Sequence, residues 1–116
     1  VSAERPTVYV VQVPVYMDHR VGEWVPKYDL SPASAHGEVV VLLPRGNLSL
    51  DSRAISLLVE RLSGYTLHDC ILALGDPVSI AAAAMIASRV TGGPVRILRW
   101  DRLSQAYVPC LVDPRA

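Results

Sequence analysis

The residues that could do chemistry in this chain are few and scattered. His19, His36 and His68 stand far apart, with no HxxxH or CxxC spacing that would gather a zinc site. Asp18-His19 with Glu23 falls short of the three or four ligands of set geometry that a metal needs. Cys70 and Cys110 lie inside apolar, strand-like runs, where a thiol is a small hydrophobe and not an activated nucleophile. Two lone cysteines of this kind read as reduced thiols in place of a disulfide. There is no GxSxG elbow, no Walker loop and no GxGxxG. The expectation is a non-enzymatic protein, with no catalytic residues, no metal and no cofactor.

One turn stands out. Gly75-Asp76-Pro77 follows the apolar run 70–74 and precedes an alanine-rich stretch. Asp is a strong N-cap and Pro is favoured at the first helical position, so a helix begins there. Free N–H groups at such a terminus attract anions, and Gly75 allows close backbone approach. Against this, the Asp76 carboxylate itself caps those N–H groups and repels an anion, which favours a structural cap. A second turn, Pro44-Arg45-Gly46-Asn47, ends the strand-like run 38–43. In a parallel sheet both turns share the carboxyl edge, where α/β folds bind ligands. The ligand candidates are therefore Arg45 for a phosphate, Asn47 for a base or ribose, Asp76 for a ribose hydroxyl, and Gly46 and Gly75 for close approach. The segment has a superficial likeness to Toprim-type catalytic domains, but the strand at 38–43 ends in Pro44-Arg45-Gly46 and Asp76 stands alone, so the clustered oxygen ligands of a magnesium site are missing.

These turns need elements to hold them. Residues 7–13 are rich in β-branched types and predict a first strand; Pro14 limits its pairing and suggests an edge or a strand end. Residues 18–23 read as a loop or hairpin tip, and 24–28 as a short returning strand. Residues 38–43 form a strand apolar on both faces. A helix over about 50–63 carries Ile55, Leu58, Val59 and Leu62 at the spacing of one buried stripe, with Ser49 as N-cap and Asp51 in the first turn. The strand at 69–74 leads to a helix over 77–91 that is apolar on almost every side. Such a helix is either sandwiched inside the fold or part of a subunit interface. Two strands, 95–100 and 106–112, close the chain as an antiparallel hairpin.

The expected architecture is a small three-layer α/β domain spanning residues 1–116. Its core, 38–112, holds a parallel three-stranded β-α-β-α-β sheet and the C-terminal hairpin strand; residues 1–37 form an irregular N-terminal β arm. That arm concentrates Tyr9, Tyr16, Trp24 and Tyr28, which either meet a partner or cover the sheet. With Met85 and Trp100 they make the interface candidates Tyr9, Trp24, Tyr28, Met85 and Trp100.

Composition narrows the partners. Half of the 116 residues are apolar (51%), so the chain is not a disordered one. Eleven basic and eleven acidic side chains cancel, which removes any overall pull towards nucleic acid or anionic lipid. Arg89, Arg96, Arg99 and Arg102 gather near Trp100 and Tyr107, yet Arg96 and Arg99 face opposite sides of a strand, which dilutes the patch. No run reaches the ~18 apolar residues of a membrane span, and no signal peptide is evident.

Four blocks carry a resemblance that composition does not: Tyr9-Val10-Val11-Gln12-Val13-Pro14; Val25-Pro26-Lys27-Tyr28-Asp29-Leu30 with Gly37; Leu74-Gly75-Asp76-Pro77; and Gly93 to Arg102 with Tyr107-Val108-Pro109. On these the chain resembles uncharacterised small accessory proteins of tailed bacteriophages. The resemblance implies an accessory phage protein in the host bacterial cytoplasm and carries over no functional residue. Two functions follow as expectations. One is protein–protein interaction as a homo-oligomer, with a host or phage protein as a further partner. The other is binding of a small anionic ligand, a nucleotide or signalling molecule, at the carboxyl edge of the sheet.

Overall fold

A computed structural model describes residues 5–44 and 50–115. The elements run β1 (Thr7–Val10), β2 (Val15–Asp18), β3 (Glu23–Pro26), a 3-10 helix (Ser31–His36), β4 (Glu38–Val41), α1 (Ser52–Arg61), β5 (Cys70–Leu72), α2 (Pro77–Thr91), β6 (Val95–Asp101) and β7 (Ala106–Val112). The fold is mixed α/β. Five strands form one sheet in the order β4-β1-β5-β6-β7, parallel except for β7, and β2 pairs with β3 as a separate antiparallel hairpin.

The first strand corrects the sequence reading. The N-terminal segment is not an arm outside a three-stranded core, because β1 is an interior strand of the sheet, between β4 and β5. Alternation explains it. Val8 and Val10 enter one core cluster, while Tyr9 and Val11 enter the other, so β1 is covered on both faces as an interior parallel strand must be. Pro14 lies past the paired residues and leaves the ladder intact.

The two clusters lie on opposite faces of the sheet. On one face α1 and α2 contribute Ala54, Leu58, Leu62, Ala83 and Ala87, packed over Val11, Ile71 and Val95. On the other, the 3-10 helix contributes Ala33, packed over Val8, Val10, Leu72, Leu98 and Tyr107. His36 Nε2 meets the Tyr107 carbonyl at 2.9 Å and ties that helix to β7.

The helices begin at aspartates. Asp51, not Ser49, caps α1: its Oδ1 accepts the Ala54 N–H at 2.9 Å, and Ser49 lies outside the described residues. At the far end Arg61 reaches across to the Leu42 carbonyl at 2.6 Å. The buried stripe of α1 is also shifted. Ala54, Leu58 and Leu62 face the sheet, whereas Ile55 and Val59 are exposed. Both stripes repeat at i, i+4 and stand about 100° apart; the sheet takes only one. In α2, Asp76 caps and Pro77 is the first residue, as the sequence predicts. Ser79, Ala83 and Ala87 form its buried stripe, so α2 is not sandwiched within the chain.

Candidate functional site

The carboxyl edge of the sheet is closed by its own residues. Past β1 the chain carries Gln12, which is buried, donates its N–H to the Leu74 carbonyl at 3.3 Å, and sends Nε2 to the Pro44 carbonyl at 3.3 Å. Gly75 sits directly against it with φ of +121°; a Cβ there would lie 3.0 Å from Gln12 Cβ. Asp76 Oδ2 accepts both the N–H and the hydroxyl of Ser79, at 3.0 and 3.1 Å. The strand ends that carry Pro44 and Gly75 share this edge, but β1 runs between them. That separates the ends of β4 and β5 by two strand spacings, about 10 Å. The other ligand candidates, Arg45, Gly46 and Asn47, lie outside the described residues.

The interface candidates fall in three places. Tyr9 packs inwards, its ring centroid 5.8 Å from that of Tyr65. Trp24 stands exposed on the β2–β3 hairpin. Tyr28 and Trp100 come together beside Tyr107, where Trp100 and Tyr107 meet edge-to-face at 5.0 Å. Met85 belongs to a different surface, on the opposite face of the sheet.

That surface is the outer side of α2. From Pro77 to Ser88 the helix carries no charged residue. Ser79, Ala83 and Ala87 turn inwards, so Val78, Ala81 and Met85 are left outside on one stripe. Val78 is 60% exposed and Met85 73%. Solvent-facing helix surfaces are ordinarily polar or charged, so an uncharged one more than two turns long is out of place in water. Met85 also borders an apolar groove of about 580 Å³ between α2 and the β6–β7 ladder, lined by Ala84, Ser88, Val95, Ile97 and Val112 together with Arg89 and Arg115. β7, the edge of the sheet on this side, holds Pro109 opposite Leu98. Proline fits a ladder only where its missing donor would point outwards, so the edge lacks a central donor for strand addition. Contact on this side therefore falls to the groove and helix face.

The titratable groups are arranged for structure. Asp69 is buried and accepts the Thr7 N–H at 2.8 Å and the Thr66 N–H at 2.8 Å. Burial pushes the Cys70 thiol up, away from the reactive thiolate. Cys70 and Cys110 are both free thiols. Among the described residues no three or more His, Cys, Asp or Glu gather where they could hold a metal ion. Among the same residues no helix is long and apolar enough to cross a membrane.

Comparison with known proteins gives a family match. The model of the Phage Pam3 gp32-like protein family covers residues 6–114, from the residue before β1 to just past β7. No curated protein and no solved structure matches the chain.

Proposed function

This chain belongs to the Phage Pam3 gp32-like protein family, and we propose that it acts through protein–protein interaction, as a homo-oligomer whose simplest form is a two-fold pair joined through α2. The observation that carries this reading is the uncharged outer face of α2 with Met85 standing beside a groove. A two-fold contact brings the same patch of both copies together. The patch is self-complementary in outline: each copy offers a protruding Met85 and a groove to receive the other's. The formal net charge of +0 leaves no overall repulsion between copies.

Magnitudes set the strength. Covering Val78, Met85 and Val112 is worth about 1–2 kcal/mol each. Six such side chains in a pair give about 6–12 kcal/mol before the cost of association, which is of similar size. The contact is therefore reversible, and the mass of the chain in solution should depend on concentration. In this reading the protein works in the host cytoplasm, and a host or phage protein is a further partner for the same face. A chain that stays at one copy at every concentration would defeat the proposal.

Ligand binding at the carboxyl edge is the second reading. It is favoured by the turns after β4 and β5 sharing that edge. It is weakened by the engagement of Asp76 with Ser79 and by Gln12 between the two turns.

A further inference from the structure

On the face of the sheet away from α2, the ends of β5 and β6 open into a cleft of about 590 Å³. Its walls include Tyr28, Asp29, Leu74, Trp100, Arg102 and Tyr107. The volume lies in the range of small-molecule sites. These residues come from three separate parts of the chain, and the fold fixes them differently. Tyr107 is buried and holds Trp100 edge-to-face, while the rings of Tyr28 and Trp100 are each about half exposed. The cleft is thus walled by aromatic surface that remains open.

Its polar groups are of both signs. Asp29 Oδ1 accepts the Ser31 N–H at 2.9 Å and the Ser31 hydroxyl at 2.6 Å. These bonds hold the carboxyl below the usual carboxylate range, so it is ionised at neutral pH. Asp29 Oδ2 has no hydrogen-bond partner among the described residues. The Arg102 guanidinium likewise makes no hydrogen bond or ion pair among them. Lys27 Nζ stands 5.7 Å from the centroid of the Tyr28 ring. The cleft is therefore lined by one cation, Arg102, and one carboxylate, Asp29, with Lys27 beyond the wall against Tyr28.

We propose that this cleft binds a free nucleoside 5′-monophosphate whose base carries an exocyclic amino group. Each part of the ligand answers a feature of the site. Exposed aromatic rings stack nucleobases. A carboxylate oxygen without a partner takes one amino donor of the base. An unpaired guanidinium, with a lysine nearby, takes the phosphate. The unpaired Arg102 guanidinium in the wall disfavours an organic cation, the other guest that aromatic clusters hold. The site adjoins the Gly75–Asp76 turn through Leu74, but neither Gly75 nor Asp76 lines it. It lies on the opposite face of the sheet from α2, so it stands whether or not the chain self-associates.

Isothermal titration of the full chain with AMP, CMP, UMP and adenosine tests the proposal. AMP and CMP are expected to bind about tenfold more tightly than UMP, and AMP about tenfold more tightly than adenosine. Arg102→Ala should erase the difference between AMP and adenosine while leaving adenosine binding unchanged. Asp29→Asn keeps an oxygen for Ser31 and places an amide donor where Oδ2 stood, so it should shift preference towards UMP. Each ratio compares ligands on one protein, which removes any effect of the substitution on folding. The absence of heat with every nucleotide at millimolar concentration would overturn the proposal, as would ratios unchanged in both variants. An oligodeoxyadenylate that binds more than tenfold more tightly than AMP would also overturn it, making the cleft a site for a nucleic acid strand.

Discussion

The Asp69 carboxylate accepts the backbone N–H of Thr7 at 2.8 Å, across 62 residues of sequence. Its other oxygen takes the Thr66 N–H at 2.8 Å and the Thr66 hydroxyl at 3.0 Å. One side chain thus joins the start of the interior strand β1 to the loop that leads into its neighbour β5. Asp69→Ala leaves the Thr7 and Thr66 donors without this acceptor in a partly buried setting. Hydrogen bonds to charged groups are worth about 1.5–3 kcal/mol, so the variant should lose about 3 kcal/mol in a urea unfolding experiment. Asp69→Asn retains one acceptor oxygen and should lose less. A midpoint unchanged in Asp69→Ala would show that this junction does not hold the sheet together.

The same junction makes the fold sensitive to alkali. Tyr65 donates its hydroxyl to the Asp69 carbonyl at 3.0 Å, and burial raises its pKa from 10.0 to about 12. The folded chain keeps this proton up to about pH 12, whereas the unfolded chain releases it near pH 10. Between those values the unfolded state binds fewer protons, so stability falls as pH rises. The contribution is intact below about pH 10 and is lost by about pH 12. Burial raises Tyr9 and Tyr107 as well, so they add to the same decline. Tyr65→Phe should be slightly less stable at neutral pH, yet its stability should fall less steeply between pH 10 and 12. Parallel slopes for the two proteins in pH-dependent unfolding would rule Tyr65 out as the source.

Gly75 holds the end of β5 against the end of β1. A methyl group there meets Gln12 at Cβ and at its carbonyl oxygen, 3.0 and 3.2 Å away, on a backbone with φ of +121°. Both the conformation and the contact oppose any side chain. Gly75→Ala should therefore cost about 2–4 kcal/mol. Gly64 has nothing within 4 Å of where a Cβ would stand. Gly64→Ala should leave the thermal midpoint within a degree or two, and equal losses at the two positions would refute this account of Gly75.

Much of the scaffold was legible because local patterns agree with it. Asp76-Pro77 announces the start of α2, and the apolar runs at 38–43 and 95–100 announce β4 and β6. The place of β1 was not legible. Pro14 reads as an edge signal, and nothing local says that the first strand lies in the interior of a sheet; pairing order is a long-range property. The stripe on α1 failed for a related reason. Ile55 and Val59 are as apolar as the residues that turn inwards, and only the angle at which the helix lies on the sheet chooses between them. For the candidate surfaces, the apolar character of α2 could be read directly. The cleft could not, because Tyr28 and Asp29 lie more than 70 residues from Trp100 and Arg102 in the chain. Asp69 was hidden likewise by the distance to Thr7.

Sedimentation equilibrium from about 1 to 100 µM, the range in which a reversible contact of this size dissociates, tests the central claim of self-association through α2. The chain should rise with concentration from the 12.6 kDa of one copy towards twice that mass. Met85→Glu sets a charge into the uncharged face and should remain at one copy throughout. Leu103→Glu, at a residue 97% exposed in the β6–β7 turn, should behave as the unaltered chain does. A native chain that holds the mass of one copy across the whole range, or a Met85→Glu variant that pairs as well as the original, would contradict the account.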